Sequence, residues 1–275
     1  MKLHLESEKI EITCLSPVHV GSGEILNKSQ YAYNSRAGKV YFPDESKWIN
    51  LLAERELLSA LTTVIDTRLS LYDWCRNNRI TDTELAQISR VISTEVGSEL
   101  NDICLCMSDI SNVPYIPGSS IKGALRTAIL HRLIGAMTTG DKQRYWQSIE
   151  QVTNTAGDRV GALKGSLARV IGDLEREQLH CLNRTNRRDN ALNSAMQGLR
   201  ISDAVIVEGG NSATCLIKKT DRHFSGTDKP MPVIRECLVP GTKLQFTMTI
   251  EPEITRLIGI GKIEDVLSMG GDFPQ

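Results

Sequence analysis

The chain has 275 residues, 40% hydrophobic and 24% charged, with a formal net charge of −1. That balance supports a sizeable core and excludes nucleic-acid binding driven by bulk charge, so a polyanion site has to come from a local patch. Aromatic content of 5% argues against a broad base-stacking platform, and no apolar run reaches the length of about 18 residues that a membrane span needs.

The opening MKLHLESEKI lacks the apolar centre of a signal peptide. Seven scattered cysteines, an odd number, fit reduced thiols in a cytoplasmic protein. Ile10, Ile12 and Cys14 alternate as in a half-buried strand that ends at Pro17, and Gly21-Ser22-Gly23 predicts a sharp turn. YAYN and KVYF are set to pair across SRAG.

Asp44 is placed to cap a helix through PDESKWINLLAERELL, with Trp48, Leu51 and Leu52 on one face. TVIDTRLSLYDWCRNN predicts a second helix. TDTELAQISRVISTEV predicts a third, with Leu85, Ile88, Val91, Ile92 and Val96 at helical spacing. Together they make residues 44–100 a helical insertion. DICLCMSDI predicts a strand.

PYIPGSSIKGALR follows, Pro114 to Arg126. It is not a phosphate loop of the Walker type, because its lysine precedes the second glycine and alanine follows. Pro117 and Gly118 set a turn, and Ser119 or Ser120 is expected to cap a helix. The first N–H groups, through Ile121, would be unpaired at the positive end of the dipole. Gly123 would admit a close backbone. Ile121, Ala124, Leu125, Ala128 and Ile129 would form the buried stripe. Lys122 and Arg126, four apart, can face one anion such as a phosphodiester. A capped helix carrying two solvated cations explains the same residues equally well.

PVHVGSGE is similarly ambiguous. His19, Gly21 and Ser22 can line a phosphate or ribose site, or form a tight turn around a packed histidine. Neither GSGEIL nor GIGKIE completes a dinucleotide fingerprint. Residues 138–198 form a second, polar insertion of helical and loop character. They include the densest basic cluster, Arg184, Arg187 and Arg188, which fits a solvated face or a clamp on phosphates.

Beyond residue 199, LRISDAVIV, ATCLIKKT, PVIRECLV and KLQFTMTIE predict strands, with PGT (240–242) as a hairpin between the last two and PEITRLIGIGKIEDVL as a closing helix. The order implies an α+β fold: an antiparallel sheet, compatible with a ferredoxin-like core, with helical insertions in one domain. Cys104 and Cys106 share a strand face without a second pair to complete a zinc site, and no catalytic signature is present, so no metal or cofactor is expected. Asp44 fits a helix cap, and Asp203 a strand-end turn or a positioning contact, better than either fits a catalytic carboxylate.

Four stretches in this order, LSPVHVGSGE, YIPGSSIKGALRTAIL, LRISDAVIV and IRECLVPGTKLQFTMTI, resemble the RAMP superfamily of CRISPR RNA-binding proteins over most of residues 8–252. The helical interval between Gly23 and Tyr115 is similar to the family of fifth Csm subunits of type III-A effector complexes. It is unlike the repeating backbone subunit, whose short interval carries a catalytic aspartate. The resemblance implies an RRM-like, ferredoxin-like core and no catalytic residue. It implies a protein that caps the backbone filament at the 3′ end of the guide RNA. The partners so implied are the guide RNA, other Csm subunits, above all the backbone subunit, and host nucleases that trim the guide. Lys122, Arg126 and the N–H groups of Ser119 to Ile121 would then hold guide-RNA phosphates, with His19, Gly21 and Ser22 in the same groove. Family members usually run longer, with more helix and a glycine-rich segment near the C-terminus, whereas this chain ends at SMGGDFPQ.

Overall fold

Strands and helices alternate in the computed structural model much as the hydrophobic pattern dictates. It describes residues 4–94, 96–97, 100–156, 160–187, 189–208, 213–222 and 226–273. The chain divides into two compact units: Glu11–Ile116 with Val205–Gln245, and Met1–Ile10 with Pro117–Ala204 and Phe246–Gln275.

In the first of these units, strand β2 (Gly21–Leu26) runs antiparallel to β6 (Ile103–Cys106). β6 in turn lies parallel to β11 (Asp228–Leu238), which pairs antiparallel with β10 (Thr214–Arg222). The Gly-Ser-Gly segment is therefore the bulged start of β2 and not a free turn, with Gly23 at φ 89° and a register shift between Gly21 and Ile25. β3 (Ala32–Asn34) and β4 (Lys39–Pro43) form the expected hairpin, and β5 (Ser89–Ser93) adds to β4.

Among its described residues the helical insertion contains four helices where three were expected. Asp44 caps α1 (Glu45–Glu54), accepting the Lys47 N–H at 3.0 Å. The expected second helix is two: α2 (Leu58–Thr67) ends on Arg68, left-handed at φ 50°, and Ser70 caps α3 (Leu71–Asn77). The third stops early. Thr81 and Glu84 form a capping box at α4 (Asp82–Ile88), and Val91 and Ile92 belong to β5. Their β-branched side chains suit the sheet, where Ile92 packs with Val40 and Ile103. The helices share a core of their own, with Trp48, Leu52, Val64, Leu71, Cys75 and Leu85 packed on Ala32 and Tyr41 of the β3–β4 hairpin. Tyr115–Ile116 is a two-residue strand, β7.

In the other unit, Met248–Ile250 of β12 (Lys243–Ile250) pairs antiparallel with β8 (Leu199–Ile201). β12 alternates buried and half-buried residues throughout. Its first residues, Lys243–Gln245, belong to the first unit, where they pair with Val205–Glu208 of β9 (Ala204–Glu208). The Pro240–Thr242 segment is thus not a hairpin turn: β11 pairs with β10 and β6, and β12 with β8 and β9. The true hairpin is β10–β11.

Helix α5 (Gly118–Ala136) lies against β8. Ala128 and Ile129 are buried, while Ala124, expected in the stripe, is exposed. The 138–198 segment is mainly a helical hairpin, α6 (Thr139–Ala156) and α7 (Val160–Leu179). Arg144 ties the two at 2.7 Å from Glu177. The closing helix is broken: α8 (Pro252–Thr255) and a short 3-10 turn end at Gly259, φ 78°, before α9 (Ile263–Gly271). α9 packs on α5, where Arg132 meets Asp272 at 3.1 Å. Among the described residues no helix is long and apolar enough to cross a membrane.

Candidate functional site

The start of α5 is fixed by a backbone contact and a carboxylate. A Cβ at Gly118 would lie 2.3 Å from the Ile201 carbonyl oxygen and 2.7 Å from that of Ser202, so only glycine fits. The Gly118 N–H donates to Asp203 Oδ1 at 2.8 Å. Asp203 is therefore the positioning contact, and the close approach belongs to Gly118, since a Cβ at Gly123 would meet nothing.

This arrangement corrects the expected cap. Pro117 is the N-cap residue and no side chain caps the helix; Ser119 and Ser120 are exposed in the first turn. Three of the first N–H groups are already bound. Gly118 donates to Asp203, and Ser120 (2.9 Å) and Ile121 (3.3 Å) donate to the Pro117 carbonyl. The cradle of free amides expected for a phosphate is largely occupied, so an anion here must be held by side chains.

Those side chains are cationic. Lys122 is half-buried, and its ammonium pKa is lowered by burial and then by the charges of Arg126 and Arg200. Among the described residues no carboxylate reaches ion-pair distance of Lys122. Arg126 has Glu175 Oε1 of α7 2.5 Å from its Nε, out of line for a hydrogen bond, and 42% of its side chain remains exposed. Arg200, on β8 opposite Thr249, is 59% exposed and reaches Glu251 at 3.2 Å. Arg200 was missed in the sequence because it sits far along the chain. Its one signal was its place in LRISDA, directly before the segment that anchors Gly118. Burial and the neighbouring charges of Arg126 and Arg200 disfavour the Lys122 ammonium, and a bound anion would offset that repulsion.

The basic loop after α7 belongs to the same unit. Arg184 is exposed and donates to Gln197 at 3.2 Å; Arg187 is exposed. Arg188 lies outside the described residues. The loop is held by Asn193, 3% exposed, whose amide nitrogen donates to the carbonyls of Thr185 (3.1 Å) and Arg187 (2.9 Å) while its oxygen accepts from Thr185 N.

His19, Gly21 and Ser22 fall in the other unit. The His19 Nδ1–H donates to the Glu236 carbonyl at 2.6 Å, leaving Nε2 as the second nitrogen. Gly21 makes room for that ring: a Cβ there would lie 3.1 Å from Nε2. Ser22 Oγ donates to the Leu105 carbonyl at 3.3 Å and accepts from Glu24 N at 3.1 Å. This is the packed-histidine arrangement, with a ring nitrogen left for a further contact.

Beneath it, Glu236 is 2% exposed, bound to Arg90 and accepting Cys106 N at 3.2 Å. Burial pushes the Cys106 thiol up to about 12, so it is an inert structural cysteine. Among the described residues no group of three or more His, Cys, Asp or Glu is placed to hold a metal.

Comparison with known proteins places this geometry in context. A family model for the RAMP superfamily matches residues 11–256. The chain is 25% identical over 264 residues to the "CRISPR system Cms protein Csm5" of Streptococcus thermophilus, covering 90% of this chain and 65% of that protein. It is 26% identical over 279 residues to the protein of the same name from Mycobacterium tuberculosis, covering 93% and 69%. The chain thus spans just under two thirds of the Streptococcus relative's length. Its fold is similar to the crystal structure of T. onnurineus Csm5, with a TM-score of 0.68 at 18% identity over 95% of this chain and 78% of that one. It is also similar to a chain of the cryo-EM structure of a Csm–crRNA–target RNA ternary complex of a type III-A CRISPR-Cas system, with a TM-score of 0.65 at 20% identity over 97% and 74%.

Proposed function

The chain belongs to the RAMP superfamily, and from that membership we propose that it is a non-catalytic RNA-binding subunit of a type III-A CRISPR effector complex, acting in antiviral defence in the cytoplasm. It caps the 3′ end of the guide RNA, supports maturation of that end by host trimming nucleases, and docks on the repeating backbone subunit. The similarity to proteins named Csm5 supports the subunit assignment.

The observation that carries the RNA reading is the gathering of Lys122, Arg126 and Arg200 at the start of α5 in a chain of net charge −1. Ser119, Ser120 and the Arg184–Arg187 loop add donors in the same unit. In the other unit, taken by itself, His19, Gly21 and Ser22 offer RNA contacts of their own. Phosphate contacts carry no base information, so binding tolerates sequence, as a guide of arbitrary spacer requires.

The test is the length and occupancy of guide RNA in complexes carrying Lys122→Ala with Arg126→Ala. Lost occupancy and altered 3′ ends are expected; unchanged 3′ ends with unchanged assembly sink the reading.

A further inference from the structure

A cleft of about 940 Å³ lies wholly within the unit of Glu11–Ile116 and Val205–Gln245. It is bounded by the end of β2, the β4–α1 junction, and helices α1 and α2. One wall is apolar, made by Trp48, Ile49, Leu61 and Ile65. Trp48 and Leu61 also pack into the core of the helical insertion. Ile49 and Ile65 do not join that core and stay 45% and 51% exposed. A single exposed isoleucine is ordinary; two facing one concave space form a patch that binding would bury.

The charges decide what fits. Glu24, Asp44 and Glu45 line the cleft. Its described cations are Lys47 and Arg90, and Arg90 is already bound to buried Glu236 and stacked over Phe42 at 4.8 Å. Lys47 alone is left against three carboxylates. RNA phosphates would be repelled here, and a purely apolar ligand would leave the acidic rim unmatched.

We propose that this cleft docks a short apolar peptide segment flanked by lysine or arginine, contributed by a partner protein. Its isoleucines bury the apolar side chains, and its carboxylates meet the flanking cations. The proposal is independent of the guide-RNA grip, whose cations lie in the other unit.

Fluorescence anisotropy on the full chain tests it, with three labelled probes: a peptide alternating leucine and lysine, its leucine–glutamate counterpart, and oligouridylate. The leucine–lysine peptide is expected to bind. Ile49→Glu with Ile65→Glu should weaken it about tenfold or more, and Glu24→Gln with Glu45→Gln about threefold, with a flatter salt dependence. Ile49→Ser with Ile65→Ser is a milder pair that keeps the test open should the charged pair unfold. Lys122→Ala with Arg126→Ala should leave peptide binding unchanged. Equal binding of the leucine–glutamate peptide overturns the proposal. So does leucine–lysine binding that survives the cleft substitutions, or loss of oligouridylate binding in the cleft variants.

Discussion

Asp203 Oδ1 accepts the Gly118 N–H at 2.8 Å while the carbonyls of Ile201 and Ser202 close on the Gly118 Cα. Two segments 85 residues apart in sequence thereby fix where α5 begins and where Lys122 and Arg126 stand. Gly118→Ala is expected to destabilise the chain by about 1–3 kcal/mol through the forced backbone shift. Asp203→Ala should cost about 1–3 kcal/mol by stranding the N–H. Denaturant midpoints of the unit's unfolding transition measure both.

The cation cluster gives a trade-off. Because the Lys122 pKa in the folded chain lies below its ordinary 10.5, the folded state disfavours the charged ammonium. That penalty is fully present at pH values below the folded pKa and fades as pH rises towards 10.5. Lys122→Met should therefore leave the RNA-free chain as stable or more stable at pH 7. It should weaken RNA binding and lower the salt slope by about one. Thermal melts and filter binding across a salt series separate the two effects.

Glu175 holds part of the Arg126 charge. Glu175→Gln is expected to tighten RNA binding a few-fold and steepen its salt dependence. Affinity unchanged within error would show that Arg126 does not face the RNA.

The buried pair of Arg90 and Glu236 should be costly to break singly and cheap to replace whole. Arg90→Met leaves Glu236 buried without its cation, and is expected to cost about 3–5 kcal/mol. The double change Arg90→Met with Glu236→Met should recover much of that loss. A double-mutant cycle in denaturant reads the coupling.

Asp44 caps α1, so Asp44→Ala should cost about 1 kcal/mol and leave the RNA products unchanged. Loss of magnesium-dependent cleavage with assembly intact would instead make the chain a nuclease.

The sequence by itself determined much of the local structure. The β3–β4 hairpin, the Asp44 cap and the strand at Ile103–Cys106 were legible because alternation and capping act within a few residues. The superfamily was legible from the order of four short stretches. Val91 and Ile92 were misplaced because their spacing fits a helix as well as a strand, and only β4 offered them a partner. Tertiary structure alone decided the site. Gly118, not Gly123, meets a backbone, because β8 and the residue after it return there from far downstream in the chain. Arg200 joins Lys122 by the same return. The Pro117 carbonyl and Asp203 occupy amides that the sequence left free. Spacing along a chain fixes what lies on one helical face; which groups from elsewhere satisfy or crowd that face is set by the long-range packing of strands against it.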